Sequence, residues 1–126
     1  MTAVEPCRLP RAARKCSATG RWFGYQPFAK SGIPEINNLV VAEQVRRRGL
    51  GTRLIGHFER CALEAGRSMI GIGVGLYADY GAAQRFYAKL GYRPDGLGIT
   101  YRGVPVPPGA VVRADDELIL WLTKTV

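Results

Sequence analysis

The sequence predicts an α/β domain, and three observations predict it. Leu50, Leu54, Phe58, Cys61 and Ala65 recur at helical spacing, with Ile55 and Ala62 widening the stripe. Met69–Leu76 alternates instead, with Ile70, Ile72, Val74 and Leu76 on one face and Gly71, Gly73 and Gly75 on the other. From residue 35 the elements run strand, helix, strand, helix, strand, strand, and the first two strands are expected to be parallel across the intervening helix. A chain of 126 residues suits one domain, large enough for a hydrophobic core without disulfides or a structural metal.

Taken in order, residues 1–20 carry Pro, Ala, Arg and Cys without helix or strand periodicity. They are expected to form a poorly structured basic arm over 1–21, leaving a domain over 22–126. Trp22, Phe23, Tyr25 and Phe28 make an aromatic patch that reads as a short edge strand, although Gly24 and Pro27 sit poorly in one. Ile36–Val41 is the first strand of the core. The helix from Leu50 stops at Gly66, a natural C-terminal residue. The glycine face of the strand after it lets something lie close to the backbone, either a packed helix or an extended ligand. Gly81–Leu90 is the second helix, with Ala83, Phe86, Tyr87 and Leu90 on one side and Gly91 closing it. Tyr92 opens a short strand. Pro105, Pro107 and Pro108 keep Gly103–Gly109 out of a sheet interior, and Leu118–Leu122 is the last, uniformly apolar strand.

Net charge is +8, with six basic residues before residue 31 against Glu5 alone, and three more at Arg46–Arg48. Such a chain can meet nucleic acid, anionic lipid or a polyphosphate cofactor. No RNA-recognition signature, zinc finger or basic region running into heptads is present, so a nucleic-acid module rests on charge alone. No apolar run approaches the ~20 residues that cross a bilayer, and the first twenty residues lack a secretory apolar block. No membrane partner is expected, and the expected compartment is cytoplasmic. Three cysteines without a CxxC pair and one histidine point to reduced thiols and no metal.

Leu39–Thr52 carries the most chemistry. A strand-like run is followed by three arginines, two glycines one residue apart, and a helix. The first helical N–H groups have no intrahelical partner and the dipole favours an anion there. Gly49 and Gly51 let the backbone approach that anion without a Cβ. Arg46–Arg48 then add charge, unless they are simply a solvated basic face. No Gly-Lys-Ser/Thr follows, which excludes a nucleoside-triphosphate P-loop.

These residues resemble the GNAT superfamily of N-acetyltransferases over about residues 35–126. Arg46, Gly49 and Gly51 meet its R-x-x-G-x-G/A signature, with Leu39 and Val41 matching the L-x-V strand end before it. Tyr87, Lys89, Gly91 and Tyr92 meet its Y-x-K-x-G-aromatic run, with Ala83 four residues before the tyrosine. The resemblance implies a mixed sheet with helices on both faces and transfer of acetyl from acetyl-CoA to a primary amine of a small molecule or peptide. It assigns the cofactor to Leu39, Val41, Arg46, Arg47, Arg48, Gly49, Leu50, Gly51, Thr52 and Ala83. The pantetheine arm would lie between the strands holding Leu39–Val41 and Ile70–Leu76, where the glycine face gives it room. A backbone N–H near Val41 would polarise the thioester carbonyl.

Direct attack requires the ammonium to lose a proton and the departing thiolate to gain one. The resemblance puts Tyr87 in the general-acid position, and Glu35 at the mouth of the first strand is the candidate base, acting through water. Tyr87 is also readable as a core tyrosine and Glu35 as a solvated strand-edge carboxylate. His57 reads as an ordinary helix residue. Asp115, Asp116 and Glu117 read as a solvated turn, or as a patch attracting a cationic acceptor.

Residues 1–34 are too few for the strand, two helices and two further strands that family members place first. The resemblance therefore implies a fold with its N-terminal strands and helices largely missing, and an uncovered edge on the strand containing Leu39 that invites a homodimer. It also leaves open a truncated, non-catalytic domain that binds CoA or only a protein partner. Tyr80 stands where many relatives place an asparagine that contacts the cofactor.

Overall fold

A computed structural model describes residues 16–22, 25–41 and 50–126, with side chains over 25–36 and 51–126. The chain divides into two units, Met1–Ile70 with Thr125–Val126, and Gly71–Lys124.

The first unit begins with strand β1 (Cys16–Trp22), helix α1 (Gln26–Ser31) and strand β2 (Pro34–Val41). β1 runs antiparallel to β2, from Cys16 opposite Val41 to Trp22 opposite Pro34, with one irregularity between Ser17 and Thr19. This corrects two expectations. Residues 16–21 belong to a sheet and not to a loose arm, and the edge of β2 is covered by a strand of the same chain. Cross-strand hydrogen bonding supplies what the local sequence does not advertise, because Cys-Ser-Ala-Thr-Gly has no clean alternation. The aromatic patch is corrected too. Pro27 lies in the first turn of α1, where its fixed φ and missing N–H are tolerated, so the segment is a helix start and not an edge strand.

Gly32 closes α1 at φ 69°, and the N–H of Ile33 donates to the carbonyl of Phe28 at 2.9 Å. Helix α2 (Leu50–Glu64) follows the predicted stripe and packs on β2 and β1. Leu54, Ile55, Phe58 and Ala62 are buried, together with Phe28 and Ile36. Gly66 ends the helix turn at φ 76°, as its sequence position implied.

The second unit takes up strand β3 (Met69–Gly75) from Gly71, a short 3-10 turn (Ala78–Tyr80), helix α3 (Gly81–Lys89), and strands β4 (Arg93–Tyr101), β5 (Val104–Pro105) and β6 (Leu118–Thr125). Its strands lie in the order β3-β6-β4-β5. β4 is longer than the short strand expected after Tyr92. Its pairing with β6 slips between Pro94 and Ile99, where Gly96 and Gly98 take positive φ. β5 is two residues at the end of the sheet, the only kind of place its proline allows.

The alternation read in β3 holds, since Ile72 and Val74 are buried. The glycine face is filled by the protein's own side chains. A Cβ on Gly73 would come within 2.7 Å of the Trp121 ring and 2.8 Å of Ile119, and one on Gly75 would collide with the Tyr80 ring. The packed alternative therefore takes the place of the expected room for an extended ligand at these two glycines. Trp121 is fixed by its indole N–H, which donates to the hydroxyl of buried Thr100 at 2.9 Å.

Candidate active site

In the first unit, β2 carries Leu39 and Val41 to its C-terminal end, and α2 opens with Leu50, Gly51 and Thr52. Arg46, Arg47, Arg48 and Gly49 lie outside the described residues. Gly51 is buried and Thr52 exposed within the first turn of α2. That turn contains no acidic residue. The donor chemistry of this end fits a pyrophosphate.

Glu35 is not a solvated carboxylate. It is 5% exposed, and its Oε2 accepts the backbone N–H of Tyr25 at 3.0 Å. Tyr25 is the residue that caps α1, and its ring meets Phe28 edge-on at 4.8 Å. The carboxylate thus ties the start of α1 to β2.

In the second unit, α3 brings Ala83 and Tyr87 to one side, a helical turn apart. Tyr87 is 6% exposed and its ring packs near Phe86 and Tyr92. Burial pushes its hydroxyl up to about 12, because the phenolate would lose hydration. At neutral pH the group therefore holds its proton. Gln84 stands beside it, and its amide N–H donates to the carbonyl of Gly75 at 2.8 Å, where β3 ends.

Tyr77 and Tyr80 both donate their hydroxyls to Asp116, the latter at 2.8 Å, while their rings meet edge-on at 5.0 Å. These bonds hold the Asp116 carboxyl below the usual range, Tyr77 contributing most, and raise both phenols. Tyr101 likewise donates to Asp115 at 2.8 Å. The acidic stretch is therefore an anchor for three tyrosines and more than a solvated turn. Sequence reasoning missed it because the Asp116 partners stand 36 and 39 residues away, and it missed Gln84 because a side chain bonding a backbone carbonyl nine residues earlier leaves no pattern. His57 lies 3.7 Å from the Cys61 sulfur, one helical turn away. Among the described residues no group of three His, Cys, Asp or Glu side chains is placed to hold a metal, and no helix is long and apolar enough to cross a membrane.

Each unit is thus of α/β type, and the second carries a buried, protonated tyrosine on α3. The sequence profile of the Acetyltransferase (GNAT) domain matches residues 14–94, and the chain belongs to that family. A search of curated protein sequences finds no match. Among solved structures, a GNAT-family protein from Desulfovibrio desulfuricans superposes with a TM-score of 0.65 at 17% identity, over 88% of this chain and 60% of that one. Nourseothricin acetyltransferase gives 0.63 at 18% identity, over 88% and 57%. An aminoglycoside 6'-N-acetyltransferase complexed with coenzyme A gives 0.60 at 20% identity, over 94% and 69%. The fold is GNAT-like, and the chain spans between 57% and 69% of the lengths of these three structures.

Proposed function

We propose that this chain transfers an acetyl group from acetyl-CoA to a primary amine of a small molecule or peptide. The observation that carries the reading is Tyr87. It stands in the family's Y-x-K-x-G-aromatic run, is buried on α3, and keeps its proton well above neutral pH. Acetyl-CoA supplies the activated thioester. The Arg46–Arg48 side chains and the backbone of Gly49–Thr52 would hold its pyrophosphate, Leu39 and Val41 its pantetheine arm, and Ala83 the adjoining surface of α3. A backbone N–H near Val41 would face the thioester oxygen. Tyr87 then gives its proton to the departing sulfur. Glu35, through water, relieves the attacking amine of its own. The protein is assigned to the cytoplasm, where Cys61 stays a thiol.

A second reading is a domain that binds CoA without transferring acetyl, and it is favoured by Glu35, which is 5% exposed with one oxygen already accepting the Tyr25 N–H. Calorimetric titration with acetyl-CoA followed by a screen for amine-dependent thiol release separates the two. Micromolar binding with thiol release by at least one amine supports the transferase. Binding with no release from any amine class supports the second reading.

A further inference from the structure

We infer that Gln84 is the positioning residue for Tyr87, fixing the rotation and height of α3 through its hydrogen bond to the Gly75 carbonyl. The inference rests on the assignment of Tyr87 as proton donor made above, and goes beyond it by naming what holds that donor in place.

α3 has nine residues, no side-chain hydrogen bond at its N-cap and no acidic residue in its first turn. A helix so short is marginal by itself and takes its position from what it packs against. Most of that packing is apolar and therefore non-directional. Phe86 and Tyr87 fill space without specifying where along the sheet the helix must stop. Directed contacts do specify it. One is the Tyr80 hydroxyl on Asp116, on an exposed carboxylate where water competes. Another is Gln84, whose half-buried amide reaches a backbone oxygen at 2.8 Å. Gly75 is the last residue of β3, so the bond pins α3 to a fixed point on the sheet. Gln84 and Tyr87 are three residues apart, neighbours on the helix surface. Any rotation that breaks the first bond moves the second side chain. A donor displaced by about 1 Å can cost on the order of 10²-fold in rate.

The test uses two variants of the full chain. Gln84→Leu keeps the bulk and removes the donor. It is expected to lower kcat at least tenfold while the KM for acetyl-CoA stays within twofold, since no cofactor contact is assigned to Gln84. Gln84→Glu carries a carboxylate that cannot donate to Gly75 when ionised but can when protonated. Its kcat relative to wild type at the same pH should therefore rise severalfold as pH falls from 7 to the ordinary glutamate range near ~4.3, a dependence that a merely space-filling side chain would not produce. This pH series is internal to one protein and serves even if Gln84→Leu folds poorly.

A second readout needs no turnover. The ultraviolet tyrosinate titration of Tyr87, isolated by subtracting Tyr87→Phe, should move down by about one pH unit in Gln84→Leu as water reaches the hydroxyl. If wild type releases no thiol with any amine, the transferase reading fails, and a shifted titration still supports the positioning role. Unchanged kcat with superimposable titrations overturns it. So does a Gln84→Glu to wild-type ratio that stays flat with pH.

Discussion

Tyr87 shows how one residue's role was half legible. Its place in a spaced motif marked it, while the Ala83, Phe86 and Leu90 stripe made a core tyrosine equally readable. Its burial fits either reading, and it raises the hydroxyl from its ordinary value near 10 to about 12. Replacing Tyr87 by Phe is expected to lower turnover by about 10²-fold or more, the usual contribution of a positioned acid, with acetyl-CoA affinity nearly unchanged. Steady-state kinetics beside calorimetry checks this; equal loss of both would mark a structural tyrosine. The raised ionisation also carries a stability consequence. Relative to an unfolded tyrosine near 10, the folded group favours the protonated form, so its contribution is complete below pH 10 and lost as pH climbs towards about 12. Denaturant melts of wild type and Tyr87→Phe should therefore diverge in slope only above pH 10, by on the order of 2 kcal/mol at the limit. Glu35 was less legible. Nothing in Pro-Glu-Ile distinguishes a solvated carboxylate from one that receives the N–H of Tyr25 ten residues earlier.

Among the elements, α2, β3 and α3 were readable because each carries an unbroken period ended by a glycine. β1 and α1 were not. A strand of mixed small and polar residues is defined by its partner, and a six-residue helix has too few turns for a stripe. β3 shows the limit of pattern reading in another way. Alternation revealed that one face is glycine but not what covers it, which required Trp121 and Ile119 from β6. Gly73→Ala should accordingly destabilise by about 1–3 kcal/mol, the usual cost of overpacking a filled site, since the new methyl meets a ring held by Thr100. Chemical denaturation checks it. A change below 0.5 kcal/mol would mean that Trp121 gives way freely.

At the scale of the whole molecule, family membership was legible from two motifs, whereas the pairing at the N-terminal end was not. The segment 46–49, to which the proposal gives the cofactor's pyrophosphate, falls outside the described residues, so its test is functional. A protein of net charge +8 that grips a polyanion through arginines should bind it less tightly as salt rises. Acetyl-CoA affinity is expected to fall several-fold between 50 and 300 mM salt, and to be lost in a Gly49→Asp/Gly51→Asp variant. Salt-independent binding retained by that variant would remove the turn from the site.

The seat of the Tyr80 ring over Gly75 makes these two positions tradeable only as a pair. An alanine at 75 evicts the ring; an asparagine at 80 vacates the space that the ring fills. Each change alone is expected to be harmful, and the double variant milder than their sum, with a coupling of about 1–3 kcal/mol. A smaller residue at 80 would thus open a route for 75 to acquire a side chain. Substitutions at either site must be judged against what stands at the other.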